Sequence, residues 1–401
     1  MPISSPLIKV LLQSRHPMRT LRVEEHTLPK AVIGNTRSLV SLHFGPEASH
    51  RKTYIQAGLH ADEAPGYLVA VRLIEMLREA DEKGQIQEQI IVVPAANPIG
   101  LSQWDTDSVR GRFDRTDQLN FNRHYDDLTA EIAEKITGKL GQDAAENVKL
   151  IRNCSKEILA LRTPLTQAEH LKHLLLTLAH DADIVLDLHC DHQALLHVYV
   201  GTPLWPECAD LSAQLGVGVT LLAEDSGDVP FDEANSKIWW ELAQKFPDYP
   251  IPLACLAATV ELRGLLDTDI HQTETDALNL FRFLQRRGYI AGDAGPVPEL
   301  PGEATPLEGV DYIKARDAGI LTYVKVLGDL VEKGDVIAEI IDPIASATST
   351  VDEQLRSYVT SSTSGIFFAR SVDRFARPGK IVAKVAGNKP LAGKGTKLLT
   401  S

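Results

Sequence analysis

Thr53-Tyr54-Ile55-Gln56-Ala57-Gly58-Leu59-His60-Ala61-Asp62-Glu63 is an apolar run that breaks at a glycine into a histidine and, three residues on, a glutamate. Residues 54–59 read as a strand and residues 67–77 as the helix that follows, so His60 and Glu63 fall at a strand end, where open α/β sheets collect ligands. A second apolar run, Ala182-Asp183-Ile184-Val185-Leu186-Asp187-Leu188, ends on His189. Two imidazoles and one carboxylate delivered in this way suit a hydrolytic zinc ion whose fourth position stays open to water. Taken alone, a histidine three residues from a glutamate is as well explained by a surface ion pair. The repeated strand-to-loop placement favours the metal.

Working outward, residues 90–95, 184–188, 197–201 and 257–262 also read as strands, and residues 68–77, 167–178 and 275–286 as helices. This alternation predicts an α/β fold with a mixed, mostly parallel sheet covered by helices. Residues 130–161, rich in Ala, Glu, Lys and Leu and free of proline, predict a helical insertion that serves either as a solvated cover or as a wall over the site. The blander cover is favoured. Gly- and Pro-rich residues 291–308 read as a linker that closes a first domain of residues 1–290.

Beyond the linker, two similar halves succeed one another. Ala318-Gly319-Ile320-Leu321 leads through Lys333-Gly334-Asp335 to Val336-Ile337-Ala338-Glu339-Ile340, and Ser364-Gly365-Ile366-Phe367 leads through Pro378-Gly379-Lys380 to Ile381-Val382-Ala383-Lys384-Val385. The duplication resembles the small all-β barrel-sandwich of lipoyl and biotinyl carriers, expected here over residues 309–390. Residues 344–364 contain no lysine, so the carrier function is not expected, and a structural or oligomerising appendage is. Residues 391–401 form a basic tail, expected to be solvated.

The 401 residues carry 41 basic and 54 acidic side chains, a formal charge of −13, which disfavours nucleic acid and anionic membrane as partners. The N-terminus shows no leader pattern and no run is long enough to span a bilayer, so a cytoplasmic location is expected. Cys154, Cys190, Cys208 and Cys255 are widely spaced, which suggests reduced thiols rather than a disulfide framework. Cys190 beside His189 is read as a buried small residue, because neighbours on an extended segment point to opposite sides.

Four motifs together resemble the succinylglutamate desuccinylase and aspartoacylase family, which shares its catalytic fold with zinc carboxypeptidases. They are Gly58-Leu59-His60-Ala61-Asp62-Glu63, Asn97-Pro98-Ile99-Gly100 with Asn122-Arg123, Asp187-Leu188-His189, and Thr259-Val260-Glu261-Leu262. The resemblance implies one zinc ion per chain on His60, Glu63 and His189, with Glu261 as general base and Asn122 and Arg123 gripping a substrate carboxylate. It also implies an arginine that polarises the scissile carbonyl. Arg112, followed by Phe113, fits the family's Arg-aromatic pair, while Arg115 lies nearer the usual spacing before Asn122. Arg112 is preferred and Arg115 held in reserve.

The chemistry of these residue types agrees. Zinc draws the pKa of a bound water toward about 7, Glu261 suits the proton transfer, and the Arg123 fork matches a carboxylate. Asp187, two residues before His189 on the same side of a strand, is read as its anchor or as structural. His124, His192 and His197 are alternative ligands, and Asp62 is read as orienting its loop. The expected activity is hydrolysis of an amide bond in a small N-acylated, carboxylate-bearing substrate, by a chain that is free to form a homo-oligomer. A metallocarboxypeptidase acting on short peptides, an esterase, and a non-catalytic binding protein on the same fold are the alternatives.

Overall fold

The computed structural model describes residues 8–13, 20–348, 355–391 and 398–399. In chain order the first strands are β1 (Ile8–Gln13), β2 (Arg22–Thr27), β3 (Ser38–Phe44), β4 (Lys52–Ala57), β5 (Gln89–Val93), the short hairpin β6 (Trp104–Asp105) and β7 (Ser108–Val109), β8 (Ile184–Asp191), β9 (Gln193–Ala194), β10 (His197–Gly201), β11 (Val219–Ala223), β12 (Leu256–Gly264) and β13 (Ala304–Pro306). Helices α1 (Ala64–Glu82), α2 (Thr129–Ile136), α3 (Ala144–Ala160), α4 (Gln167–Ala179), α5 (Ala209–Leu215), α6 (Phe231–Lys245) and α7 (Ile270–Arg286) lie between them.

Ten strands form one sheet in the order β1-β2-β3-β5-β4-β8-β12-β10-β11-β13. Its central run β5-β4-β8-β12 is parallel, as are β10-β11-β13, while the β1-β2-β3-β5 edge and the β10–β12 pair are antiparallel. The mixed, mostly parallel sheet expected from the alternation is therefore present. Strands β4 and β8 are buried along nearly their whole length, as strands covered on both faces must be.

Each face of the sheet has its own apolar layer. Val69, Leu73 and Leu77 of α1 recur at four-residue spacing and pack with Leu211 of α5 and Leu280 and Phe283 of α7 against one face. Ile132, Ile151, Leu171, Leu175 and Trp239, from α2, α3, α4 and α6, cover the other. Helix starts are set locally: Asp143 and Asp269 cap α3 and α7, and Thr166 with Glu169 forms a capping box on α4. Residues 130–161 are covered largely by α2 and α3, and Ile132 and Ile151 are fully buried in the core layer, so this stretch is more than a solvated cover.

Residues 310–387 supply β14 (Val310–Lys314), β15 (Gly319–Tyr323), β16 (Leu330–Val331), β17 (Val336–Ile341), β18 (Arg356–Thr360), β19 (Gly365–Arg370), β20 (Phe375–Ala376) and β21 (Ile381–Gly387). They form two antiparallel sheets, β14-β21-β19-β16 and β18-β17-β15-β20. The two similar sequence halves become the antiparallel pairs β15–β17 and β19–β21, one in each sheet. Leu321, Ile337, Phe367 and Val385 from both sheets share one core.

Two features tie these sheets to the large one. β13, within the stretch read as a linker, adds to β11, and β9 pairs with β19. Leu398 is buried, and its amide donates to the Ser226 carbonyl at 2.9 Å. Of the basic tail, residues 392–397 and 400–401, which include Lys394 and Lys397, lie outside the described residues, as do residues 349–354 of the lysine-free segment.

Candidate metal centre and active site

β4 ends at Ala57, and the turn through Gly58 carries His60 and Glu63 to the start of α1, where Glu63 is the residue before the first helical turn. Its carboxylate makes no cap hydrogen bond there and turns instead to the two imidazoles. His60 Nδ1 lies 2.9 Å from Glu63 Oε1, and His189 Nδ1, delivered by the neighbouring strand β8, lies 2.8 Å from Glu63 Oε2. All three ligand atoms fall within 4.8 Å of one another, and all three residues are buried.

The far nitrogens of both rings are held as well. His189 Nε2 donates to Asp187 Oδ2 at 2.9 Å, and His60 Nε2 donates to Asn120 Oδ1 at 2.8 Å. Each outer contact fixes its ring with Nδ1 facing Glu63, the arrangement that prepares a neutral imidazole for a metal. Asp187 therefore sits where its place two residues before His189 suggests, whereas Asn120 has no sequence signal of its own.

The charges of the cluster act on one another at close range. Burial would raise the Glu63 carboxyl, but the flanking His60 and His189 outweigh it and hold it well below the usual carboxylate range. Burial would lower His189, yet Asp187 and Glu63 outweigh it and hold the ring well above an ordinary imidazole. Burial and the Arg112 guanidinium bring His60 down to about 4. A buried carboxylate compensated by an imidazolium proton is a site in which a cation readily takes the proton's place. Two imidazoles, one carboxylate and no thiolate fit zinc.

Glu261 stands on β12 directly beside His189 of β8 in the parallel register, and beside His197 of β10 on its other flank. Burial and the nearby Glu63 push its carboxyl up to about 8, and its Oε2 has no hydrogen-bond partner among the described residues. His197 itself donates from Nδ1 to the Leu195 carbonyl at 2.8 Å and packs on Phe368, while His124 and His192 are exposed. None of these three histidines belongs to the ligand cluster.

Arg112 reaches the cluster from a loop pressed against the first motif. The Ala61 amide donates to the Gly111 carbonyl at 3.1 Å, and a Cβ on Gly111 would stand 2.5 Å from the Asp62 nitrogen, so only glycine allows this approach. Arg112 Nη1 then lies 3.3 Å from Glu63 Oε1, with 41% of the side chain still exposed at the mouth. Arg115 faces a different depression, lined by Pro29, Arg37 and Thr166.

These groups open onto one common cavity. His60, His189, Glu261 and Arg112 line it, together with Asn122 and Arg123. Asn122 bridges elements: its Oδ1 accepts from the Phe231 amide at 2.9 Å, and its Nδ2 lies 3.3 Å from His189 Nε2. The Arg123 guanidinium is buried and donates to the Asn122 carbonyl at 2.6 Å. Asn97 instead ties the Leu59 carbonyl to the Gly100 amide, at 2.8 Å each, and so shapes the motif loop.

Sequence reasoning missed the part of the wall that comes from β14, β21 and the chain's end. Tyr312, Lys384 and Leu399 line the same cavity, and Lys384 pairs with Asp191, two residues past His189. Cys190 is free and buried, yet it lies among the residues lining the cavity: its backbone amide donates to Glu63 Oε2 at 2.9 Å, and burial raises its thiol.

Residues 49–243 match the family model of the succinylglutamate desuccinylase/aspartoacylase catalytic domain. A succinylglutamate desuccinylase/aspartoacylase structure from Shewanella frigidimarina NCIMB 400 superposes with a TM-score of 0.80 at 23% identity, covering 91% of this chain and 97% of that one. A family protein from Shewanella amazonensis SB2B gives 0.79 at 24%, covering 91% and 98%. The product-bound ectoine utilization protein EutE (DoeB) from Ruegeria pomeroyi gives 0.66 at 15%, covering 95% and 98%. These likenesses concern the fold, and the search of curated proteins finds no match. Residues 49–243, which carry His60, Glu63, His189, Arg112 and Arg123, thus match the catalytic domain of the succinylglutamate desuccinylase/aspartoacylase family.

Proposed function

We infer that the chain is a zinc-dependent deacylase that hydrolyses the amide bond of a small N-acylated amino acid. The observation that carries this reading is the convergence of His60, Glu63 and His189 next to a buried carboxyl, Glu261, on the adjoining strand. Zinc on those three residues supplies a Lewis acid for the acyl carbonyl and an acidified water.

Glu261 performs the proton transfers. A carboxyl held at about 8 by burial and Glu63 carries its proton at neutral pH, and with a divalent ion held by His60, Glu63 and His189 it would be drawn down toward the working range of a general base. It takes the proton of the attacking water and returns it to the leaving amine. Arg112, partly exposed at the mouth, donates to the carbonyl oxygen as negative charge builds there. Arg123 presents its fork to the substrate carboxylate, with Asn122 fixing the wall between it and His189. Asp187 and Asn120 hold the two rings in place.

Residues 1–290 act as the zinc carboxypeptidase-like hydrolytic unit and residues 309–390 as a lipoyl-like barrel-sandwich that lends Tyr312 and Lys384 to the pocket wall. A cytoplasmic enzyme on small substrates follows from the same reading. The test is hydrolysis by metal-reconstituted protein of a panel of N-acyl amino acids set against dipeptides. Turnover of the acyl amino acids supports the deacylase, and turnover confined to dipeptides replaces it with a carboxypeptidase.

A further inference from the structure

Across the cavity, the loop from Ser226 to Pro230 enters α6 with Asp232 and Glu233 in its first turn. The loop is firmly held. The Ser226 amide donates to Glu233 Oε1 at 2.7 Å, the Ser226 carbonyl accepts from Leu398, and the Asp228 and Val229 carbonyls accept from the His124 and Tyr125 amides at 2.6 and 3.1 Å. Asp232 and Glu233 are 7% and 6% exposed.

Glu233 Oε2 is buried and has no hydrogen-bond partner among the described residues, although the side chain lines the cavity. Two other shielded acids of this fold are matched by cations, Asp276 by Arg263 at 2.6 Å and Asp191 by Lys384. Neither Asp232 nor Glu233 makes an ion pair among the described residues, and Arg123 acts on both at a distance. Burial and Asp232 accordingly push Glu233 up to about 7, and burial and Asp187 push Asp232 up to about 6. Two carboxyls facing one guanidinium leave a negative charge to be compensated, the more so when a substrate carboxylate engages Arg123.

We propose that Asp232 and Glu233 form a subsite for a cationic group, so that the substrate is an N-acylated diamino acid with one free ammonium rather than an acylated dicarboxylic amino acid. This rests on the deacylase reading and narrows it. An ammonium offers donors to Glu233 Oε2 and the Asp232 carboxylate while the α-carboxylate meets Arg123, so charges alternate across the cavity. A side-chain carboxylate at the same wall would be a third like charge.

Two measurements on the zinc-loaded full chain test it. First, kcat/KM is compared for Nα-acetylornithine, Nα-acetyllysine, Nα-acetylnorleucine and Nα-acetylglutamate. Second, calorimetric titration compares ornithine with norvaline on wild type, Glu233→Gln and Asp232→Asn. The diamino substrates are expected to lead by roughly ten- to hundredfold, and Glu233→Gln to remove a similar factor for ornithine while leaving norvaline unchanged. Preference for acetylnorleucine or acetylglutamate overturns the subsite and leaves the deacylase intact. Failure to hydrolyse any of the four, with Glu233-dependent ornithine binding, sinks the deacylase and keeps the subsite. Should both variants fail to fold, the wild-type panel decides alone.

Discussion

Removing the Lys384 ammonium tests whether the C-terminal sheets are energetically joined to the catalytic strand. Lys384 of β21 pairs with Asp191 at the end of β8, and the two side chains are 19% and 15% exposed. Burial would raise the Asp191 carboxyl, but Lys384 outweighs it and holds the group at about 2 against an ordinary 3.8. That difference corresponds to about 2 kcal/mol at neutral pH. Lys384→Met leaves Asp191 without its cation and is expected to destabilise the chain by about that amount, lowering the midpoint of thermal unfolding by roughly 2–3 °C.

The sign of the pH dependence is fixed. A depressed carboxyl contributes stability that is complete above its unfolded value near 3.8 and lost as pH falls through about 2. The gap between wild type and Lys384→Met should therefore be full at pH 7 and shrink to about half at pH 3. Asp191→Asn combined with Lys384→Met should be more stable than Lys384→Met alone, since no unpaired charge remains. Scanning calorimetry of the three proteins at both pH values is the assay. A gap unchanged by pH, or a double variant no better than the single, would refute the electrostatic account of this contact.

Other outcomes follow from the same geometry. Glu261→Gln should lower turnover of the best acyl substrate by roughly 10²–10⁴-fold while zinc content is unchanged, read by steady-state kinetics beside elemental analysis. Asp187→Asn removes the acceptor of His189 Nε2 and should weaken zinc binding about 10–100-fold, measured by competition with a chromogenic chelator. Phe231→Ala empties a fully buried position packed on Tyr54 and Tyr125 and should cost about 3–5 kcal/mol of stability, seen as a large drop in unfolding midpoint.

Much of the catalytic half was legible because its strands are buried on both faces and so appear as continuous apolar runs. Residues 197–201 coincide with β10, residues 184–188 lie within β8, and residues 167–178 match α4 to within one position. α6 was not legible. Its buried face includes Asp232, Glu233, Asn235 and Ser236, so the apolar periodicity that marks a helix is diluted by polar groups facing the cavity side. α5, seven residues long, is too short for the pattern to stand out.

Within the site, His189 and Glu261 stood out in the sequence because they lie in strands, His60 and Glu63 because they follow the apolar run that becomes β4, and Arg112 through the family resemblance, whose pattern places an aromatic after it. Asn120, Asp191, Tyr312 and Lys384 were not, since their roles depend on which loop or strand the fold brings opposite them. Lys384 is 193 residues from Asp191, and nothing local in the alternating residues 381–385 marks one lysine as cavity-facing.

Elemental analysis of the purified, zinc-reconstituted chain beside His60→Ala tests the central claim most directly. Wild type is expected to hold about one zinc per chain after exhaustive dialysis, and His60→Ala close to none. Wild type that retains no zinc, or a His60→Ala chain that binds it as fully and as tightly, would contradict a metal centre built on His60, Glu63 and His189.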